Sequence, residues 1–355
     1  MVGSRLAAIT IASLLVATAR AGSTIAIVSD RDNTLYQSGF GDVSNGAGQH
    51  FFTGKTIQLN DSLRRGVLHF DIAGNIPAGS RIDVVSLTLN CSRVRFGSPT
   101  VTVTLRSLLA DWGEGSSDAS GQEGPGTSAT TGDATWLNTF FNTGTWTNPG
   151  GDFLPTPSGS ASVGSAGSYT FASTAQMVAD VQAWLDSPAA NFGWAVIADE
   201  VTGGSVKRFD SRENPTAANR PTLTIEYCPP ASFTNYGAGL PGTLGVPALT
   251  LTNPPVLCSS TTLNIGNSLG SPTGAVLFLG LARASIPTVF GAPLLVLPTY
   301  IVTLTLPGPG LSATFATLCG DAYCGLVIDM QVLEFDPGAV HGVSFSQGLE
   351  LIHGL

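Results

Sequence analysis

The sequence predicts an all-β protein of two parts: an N-terminal jelly-roll β-sandwich with one short packed helix, then a second, smaller β-sandwich. Three observations predict it. Apolar residues recur at every second position in many short stretches. Clusters of Gly, Pro, Asn and Asp separate those stretches in a chain with 43 Gly and 22 Pro. One segment alone shows clear helical spacing.

The elements follow in chain order. Residues 1–21 read as a signal peptide, with Arg5 in the n-region, a short apolar run from Leu6 to Val16, and Ala19-Arg20-Ala21 at the cleavage positions. Residues 22–228 read as the jelly roll. In it Val85, Leu87, Leu89 and Cys91 alternate with Ser86, Thr88, Asn90 and Ser92. Val101, Val103 and Leu105 repeat the pattern, as do Leu223, Ile225 and Tyr227. Such strands keep one face in a core and the other in water. The helix is "STAQMVADVQAWLDSP": Met177, Val178, Val181, Trp184 and Leu185 fall on one face. Ser173 with Gln176 forms a capping-box pattern, and Pro188 is the stop. The Pro/Gly-rich segment 229–241 reads as a linker, and 242–355 as the second sandwich. The apolar stretch from Ala275 to Leu306 carries Pro287, Pro293 and Pro298 and much Val, Ile and Thr, so buried strands are expected there and no membrane span.

Loss of the first 21 residues removes Arg5 and Arg20, which leaves 13 basic residues against 24 acidic ones, a net charge of −11. That balance argues against nucleic acid as a partner, since phosphate binding relies on clustered Lys and Arg. Export permits disulfides. Among the five Cys, Cys319 and Cys324 flank the turn "GDAY" and are expected to pair locally. Cys228 with Cys258 is the second expectation, and Cys91, on an apolar strand face, is expected to be a buried free thiol.

Three groups of residues carry candidate chemistry. Asp111 and Glu114 lie in the acidic loop "DWGEGSSDASGQEG" with Asp118 and Glu123, and Asp30 and Asp32 lie in "SDRDN". Both sets suit a structural calcium ion, which takes six to eight oxygens, although neither has the EF-hand spacing; the alternative is a solvated loop. No other cofactor is expected. Basic residues concentrate in two segments, with Lys55, Arg64 and Arg65 in one and Lys207, Arg208, Arg212 and Arg220 in the other. On neighbouring strands they would form a patch for an acidic polysaccharide, because the guanidinium matches carboxylate geometry. The competing reading is internal pairing with Asp61, Asp210 and Glu213. Trp112 and Trp146, with Trp136, Phe140 and Phe141, would stack on sugar faces or else staple a long insert to the sandwich. No G-x-S-x-G, H-E-x-x-H or P-loop occurs, no pair of carboxyls is marked as catalytic, and His69 has no evident partner.

The segment "KRFDSRENPTAANRPTLTIEY" resembles the closing strands of the secreted DNRLRE-type domains, which carry an F-x-S-R/K-E … R-P-x-L pattern. Here Phe209, Ser211, Arg212, Glu213, Arg220, Pro221 and Leu223 supply it. "RDNTLYQSGFGDVSNGAGQHFFTG" resembles the family's opening, "RRGVLHFDIAGNIPAGSRIDVVSLTLN" its core, and Trp112 with Glu114 its W-x-E position. The resemblance implies a jelly roll in a secreted or cell-surface protein. Some members are classed as carbohydrate-binding modules, including on alginate-active enzymes. The C-terminal part resembles small β-rich modules that end many secreted bacterial proteins, but Leu240 stands where those carry a Cys. Taken together, the expected function is a non-catalytic secreted module that binds extracellular or cell-wall carbohydrate. The alternatives are a structural or adhesive cell-surface protein in contact with the envelope or matrix, and a polysaccharide-active hydrolase or lyase.

Overall fold

The computed structural model describes residues 22–355; the expected signal peptide lies outside the described residues. The chain is all-β and sandwich-like, with antiparallel sheets and one α-helix among the described residues. It divides into two compact units, Thr24–Tyr227 without Gly79–Arg81, and Cys228–Leu355.

The N-terminal unit contains β1 (Ser23–Val28), β2 (Arg31–Tyr36), β3 (Val43–Ser44), β4 (His50–Lys55), β5 (Leu63–His69), β6 (Arg81–Val94), β7 (Val101–Ser107), β8 (Thr127–Ser128), β9 (Gly159–Val163), β10 (Gly167–Phe171), α1 (Ala175–Asp186), β11 (Trp194–Ile197), β12 (Lys207–Asp210) and β13 (Thr222–Cys228). One sheet curls back on itself in the order β1-β13-β6-β12-β4-β5-β11-β7-β9, with β10 on β6 and β2 on β5; β3 and β8 make a separate ribbon. Strand β4 is the corner. Its residues His50–Thr53 pair with β12, while Gly54 and Lys55 pair with β5. Gly54 has φ +112°, and a Cβ there would stand 3.0 Å from Val206 Cα, so the bend needs glycine.

The core lies inside the curl. The alternation read from the sequence points where expected: Val85, Leu87, Leu89, Cys91, Val101, Val103, Leu105, Leu223 and Ile225 are buried together, and Tyr227 packs at their edge. Met177, Val181, Trp184 and Leu185 of α1 join them, with the Trp184 and Trp194 rings edge-on at 4.6 Å. The helix cap differs from expectation by one residue. Thr174 is the N-cap, its Oγ1 accepting from the Met177 N–H at 3.0 Å. Ser173 Oγ instead accepts from the Val85 N–H, and Gln176 donates to Asp180.

The C-terminal unit contains β14 (Ser232–Tyr236), β15 (Leu249–Leu251), β16 (Ser260–Ile265), β17 (Thr273–Gly280), β18 (Arg283–Ile286), β19 (Leu294–Val296), β20 (Tyr300–Leu306), β21 (Leu311–Ala316), β22 (Val327–Phe335), β23 (Val343–Phe345) and β24 (Gly348–Ile352). One sheet runs β14-β24-β22-β17-β20 with β23 on β22, a second runs β15-β16-β21, and β18 pairs with β19. Their inward residues, among them Leu251, Leu263, Leu277, Met330, Val332 and Leu349, share one core. The segment expected as a linker is in part a strand: β14 pairs along its whole length with β24. The stretch Ala275–Leu306 is strands and turns, and no helix among the described residues is long and apolar enough to cross a membrane.

The expected Cys319–Cys324 pair does not form. The disulfides are Cys258–Cys319 and Cys228–Cys324, with Cα separations of 4.4 and 5.4 Å, and the second choice, Cys228–Cys258, is absent too. Sheet register decides this. β16 pairs with β21, and one step beyond them Cys258 N–H donates to Leu318 O at 2.8 Å, which sets Cys258 beside Cys319. The turn Asp321–Tyr323 then carries Cys324 away to Cys228. Cys91 is free and buried, as expected. Two disulfides suit an oxidising compartment.

Candidate functional site

The densest group of ionisable side chains comes from three separate stretches of the N-terminal unit. β2 supplies Asp32, the loop after β7 supplies Glu114, and the turn after β12 supplies Arg212 and Glu213. One carboxylate oxygen from each of Asp32, Glu114 and Glu213 lies within 4.8 Å of the other two. Arg212 bridges them. Its Nε donates to Glu114 Oε1 at 2.7 Å and its Nη2 to Glu114 Oε2 at 2.5 Å, and Nε stands 2.9 Å from Glu213 Oε1. The backbone completes the clamp. Asp32 N–H donates to Glu114 Oε1 at 2.9 Å, Arg212 N–H to Asp32 Oδ2 at 2.7 Å, and Asn33 Nδ2 to Glu114 O at 3.0 Å.

One guanidinium faces three carboxyls, so the group is short of positive charge. Burial, and then the charge of Glu213, push the Asp32 carboxyl well above the usual carboxylate range. Burial and the charge of Glu114 push Glu213 from 4.5 up to about 7. The hydrogen bonds that Arg212 donates to Glu114 hold the guanidinium above its ordinary value. Glu213 Oε2 is buried without a hydrogen-bond partner, and such burial disfavours the charged form of the carboxyl.

The two expected calcium sets are thus redistributed. Asp32 from one and Glu114 from the other meet in this cluster. Asp30 pairs with His69 at 2.6 Å, and Asp111 with Arg31 at 3.1 Å. Burial would raise Asp30, but the hydrogen bond and charge of His69 outweigh it and hold the carboxyl low. In the cluster both Glu114 oxygens and one Asp32 oxygen are already engaged by Arg212 or by backbone N–H groups. The donor set does not fit a calcium ion unless Arg212 is displaced.

A second polar centre lies nearby, and sequence reasoning missed it. Glu123 belongs to the acidic loop read as a calcium candidate or else a solvated loop, but it is buried, with φ +61°. Its carboxylate accepts from Asn45 Nδ2 at 3.0 Å and from the His50 N–H at 2.9 Å, and lies 3.2 Å from His50 Nδ1. The other ring nitrogen is 3.4 Å from Asp210, which accepts from Asn90 at 2.6 Å. Burial raises Glu123, but the hydrogen bonds from His50 and Asn45 win and leave it below its ordinary value. His69, thought to have no partner, has Asp30 at one ring nitrogen and Asn191 O at 3.2 Å from the other.

The residues expected to bind sugar mostly face inward. The two basic segments are on neighbouring strands, because β12 pairs with β4 and β4 with β5. Even so, Lys207 is fully buried and donates to Ser98 Oγ and Pro99 O at 2.9 and 2.7 Å. Arg64 is buried, donating to Asp61 O and Leu63 O, with its guanidinium over the Tyr36 ring. Arg65 forms a bidentate pair with Glu200 at 2.7 and 2.9 Å and lies against Trp136 and Phe153. Arg208 donates to Ser92 and Gln122, and Arg220 to Asn214 O. Trp112 and Trp146 are buried, donating to Phe192 O and Thr135 O, each at 2.9 Å. With Leu35, Val67, Trp136 and Ile197 they form a secondary core that fastens the long insert. Lys55 alone of the expected ligand residues lines an open surface groove of about 490 Å³, with Gln37, Leu59, Asn60, Asp61, Ser62 and Glu200.

No family model matches the chain, and no curated protein matches it. Among solved structures it is similar to a glycosyl hydrolase family 2 member from Bacteroides cellulosilyticus, at 8% identity and a TM-score of 0.14 over 84% of this chain and 28% of that one. It is also similar to Bacteroides uniformis beta-glucuronidase 2, at 10% identity and a TM-score of 0.16 over 93% of this chain and 32% of that one. The chain spans about a third of the length of those enzymes, and at these scores the likeness carries no functional statement.

Proposed function

We propose that the chain is an exported, non-catalytic protein of the cell exterior, and that its N-terminal unit is a DNRLRE-type domain acting as a structural and attachment scaffold. One observation carries this reading. The positions on which the resemblance rests, Asp32 and Asn33, Glu114, and Arg212 and Glu213, converge on one hydrogen-bonded clamp that joins three distant stretches. Their chemistry is used to hold the sandwich together. Hydrolysis of a glycoside sets two carboxyls roughly 5–9 Å apart with room for sugar or water between them. Here the carboxylates lie within 4.8 Å and are bridged by Arg212.

A second reading, carbohydrate binding, is favoured by one feature: the polar groove beside Lys55, whose size suits a small ligand. Both are tested by retention on alginate, pectin and cellulose at low and high salt, with release of reducing ends measured in parallel. The scaffold reading expects no release and no salt-sensitive retention by folded protein. Retention abolished by Lys55→Ala would replace it with the groove reading, and turnover of any polymer would refute both.

A further inference from the structure

Four apolar side chains stand free on three adjoining loops of the N-terminal unit. Ile57 is 66% exposed and Leu59 98% exposed in the loop 56–62, between β4 and β5. Phe96 is 100% exposed in the loop 95–100, between β6 and β7, and Val201 is 84% exposed in the loop 198–206, between β11 and β12. Hydrogen bonds tie the third loop to the other two: Gly204 N–H donates to Lys55 O at 2.9 Å, and Ser98 Oγ donates to Gly204 O at 2.9 Å. A Cβ placed on Gly204 would lie 3.3 Å from Arg95 Nη1 and 3.5 Å from Ile57 Cγ2, and Leu59 and Glu200 share one groove. Exposed apolar residues scattered singly are ordinary, whereas a group of them in one place marks contact with something apolar.

We propose that these loops form a lipid-contact tip, which sinks Ile57, Leu59, Phe96 and Val201 into the outer part of a zwitterionic phospholipid bilayer. Three features select a bilayer over a protein. The side chains project from the surface, so a protein partner would have to supply a fitted pocket for each, while fluid acyl chains close around any projecting shape. The peptide groups of the tips are satisfied from within. Gln58 N–H donates to Thr56 Oγ1 at 3.3 Å, Ser98 N–H to Arg95 O at 2.9 Å, and the Val201 and Thr202 N–H groups to Asp199 Oδ1 at 2.7 and 3.2 Å. Backbone groups paired in this way enter a dry interface without loss of hydrogen bonds. The solvent-facing charges beside the tips also balance, Lys55 and Arg95 against Asp61 and Asp199, with Glu200 taken up by Arg65. The chain as a whole has 24 acidic residues against 15 basic ones, so anionic lipid would repel the rest of it. The long stems of Lys55 and Arg95 let their charged heads reach lipid phosphates while the apolar tips go deeper. The inference names a surface for the attachment role proposed above and rests on that reading for the compartment alone. Retention on polymers reports the groove beside Lys55, and vesicle binding reports the tips.

The test is flotation of the full chain with phosphatidylcholine vesicles at low and high salt. The expected result is that the chain floats at both, since apolar insertion is not screened by salt. Leu59→Ser and Phe96→Ser should each lower the partition by about tenfold, the loss expected when a large side chain no longer leaves water. Both positions are exposed, so urea unfolding followed by Trp emission should be unchanged. Val340→Ser, at an equally exposed apolar residue of the other unit, should float as wild type. Phe96→Trp should add an emission that bromine on the acyl chains quenches, while the five native Trp, all buried, are spared. Folded wild-type chain that does not float overturns the proposal, and a protein partner at these tips would give that result. So does flotation confined to anionic vesicles and abolished by salt, flotation that Leu59→Ser and Phe96→Ser leave unchanged or that Val340→Ser lowers equally, or a Trp at position 96 that bromine does not quench.

Discussion

Glu213→Gln should stabilise the N-terminal unit at neutral and alkaline pH. Folding raises the Glu213 carboxyl from 4.5 to about 7, chiefly by burial and by the charge of Glu114. A carboxyl whose folded value lies above its unfolded value binds its proton more tightly in the native state. It therefore adds no penalty below about pH 4.5, an increasing penalty as pH climbs to about 7, and a constant one above that. The shift of about 2.5 units corresponds to at most roughly 3 kcal/mol. A gain of about 1–2 kcal/mol at pH 8 is the working expectation, since the glutamine retains an acceptor for Arg212 and Asp32 relaxes with it. Asp32 should relax because Glu213 is the largest charge raising it. All five Trp lie before residue 195, so their emission during urea unfolding reports this unit. Wild type and variant should coincide near pH 4 and diverge between pH 5 and 8. A variant less stable than wild type at pH 8, or a gain equal at pH 4 and pH 8, would refute the electrostatic account of the cluster.

Four further outcomes are expected. Glu114→Gln should have the opposite sign, losing about 2–3 kcal/mol at pH 7 in the same Trp assay, because it breaks the bidentate pair with Arg212. Thr174→Ala should lower stability by about 1 kcal/mol through loss of the helix cap, whereas Gln176→Ala should change it little. Lys207→Ala should lower stability by about 2–4 kcal/mol and leave glycan retention unchanged, since the side chain is internal. Thiol counting on unfolded, unreduced chain should find one free Cys, at Cys91, and replacing Cys258 and Cys319 together by Ser should cost about 2–4 kcal/mol in calorimetry.

The all-β class and the core faces were legible because alternation is a local signal, and one buried face per strand fixes it. The helix was legible for the same reason. Its cap was read one residue early because Ser173 and Thr174 are both capable caps, and the Val85 N–H of another strand claims Ser173. Of the two readings of the basic segments, the patch and internal pairing, the structure favours internal partners although the strands are neighbours, and here the sequence held a clue. Lys207 alternates with Phe209 and so shares its inward face, which the burial of both confirms. The cystine pairing was misread because nearness along the chain favoured Cys319 with Cys324, whereas sheet register, a long-range property, put Cys258 there. The carboxylate clamp joins positions 32, 114 and 212–213, and no local pattern relates them. The calcium reading, the basic-segment reading and the family resemblance each drew attention to those stretches, without placing them together.

The two cystines are concentric: Cys258–Cys319 lies within the loop closed by Cys228–Cys324. Tension entering the C-terminal unit at Cys228 therefore bypasses the intervening chain and passes straight to Cys324. The sequence separation of 96 residues would otherwise be free to pay out, a contour of roughly 320–350 Å at about 3.3–3.6 Å per residue. While oxidised, the loop closed by that bond cannot lengthen under tension. Reduction frees it to lengthen, and single-molecule extension before and after reductant should differ by about that length.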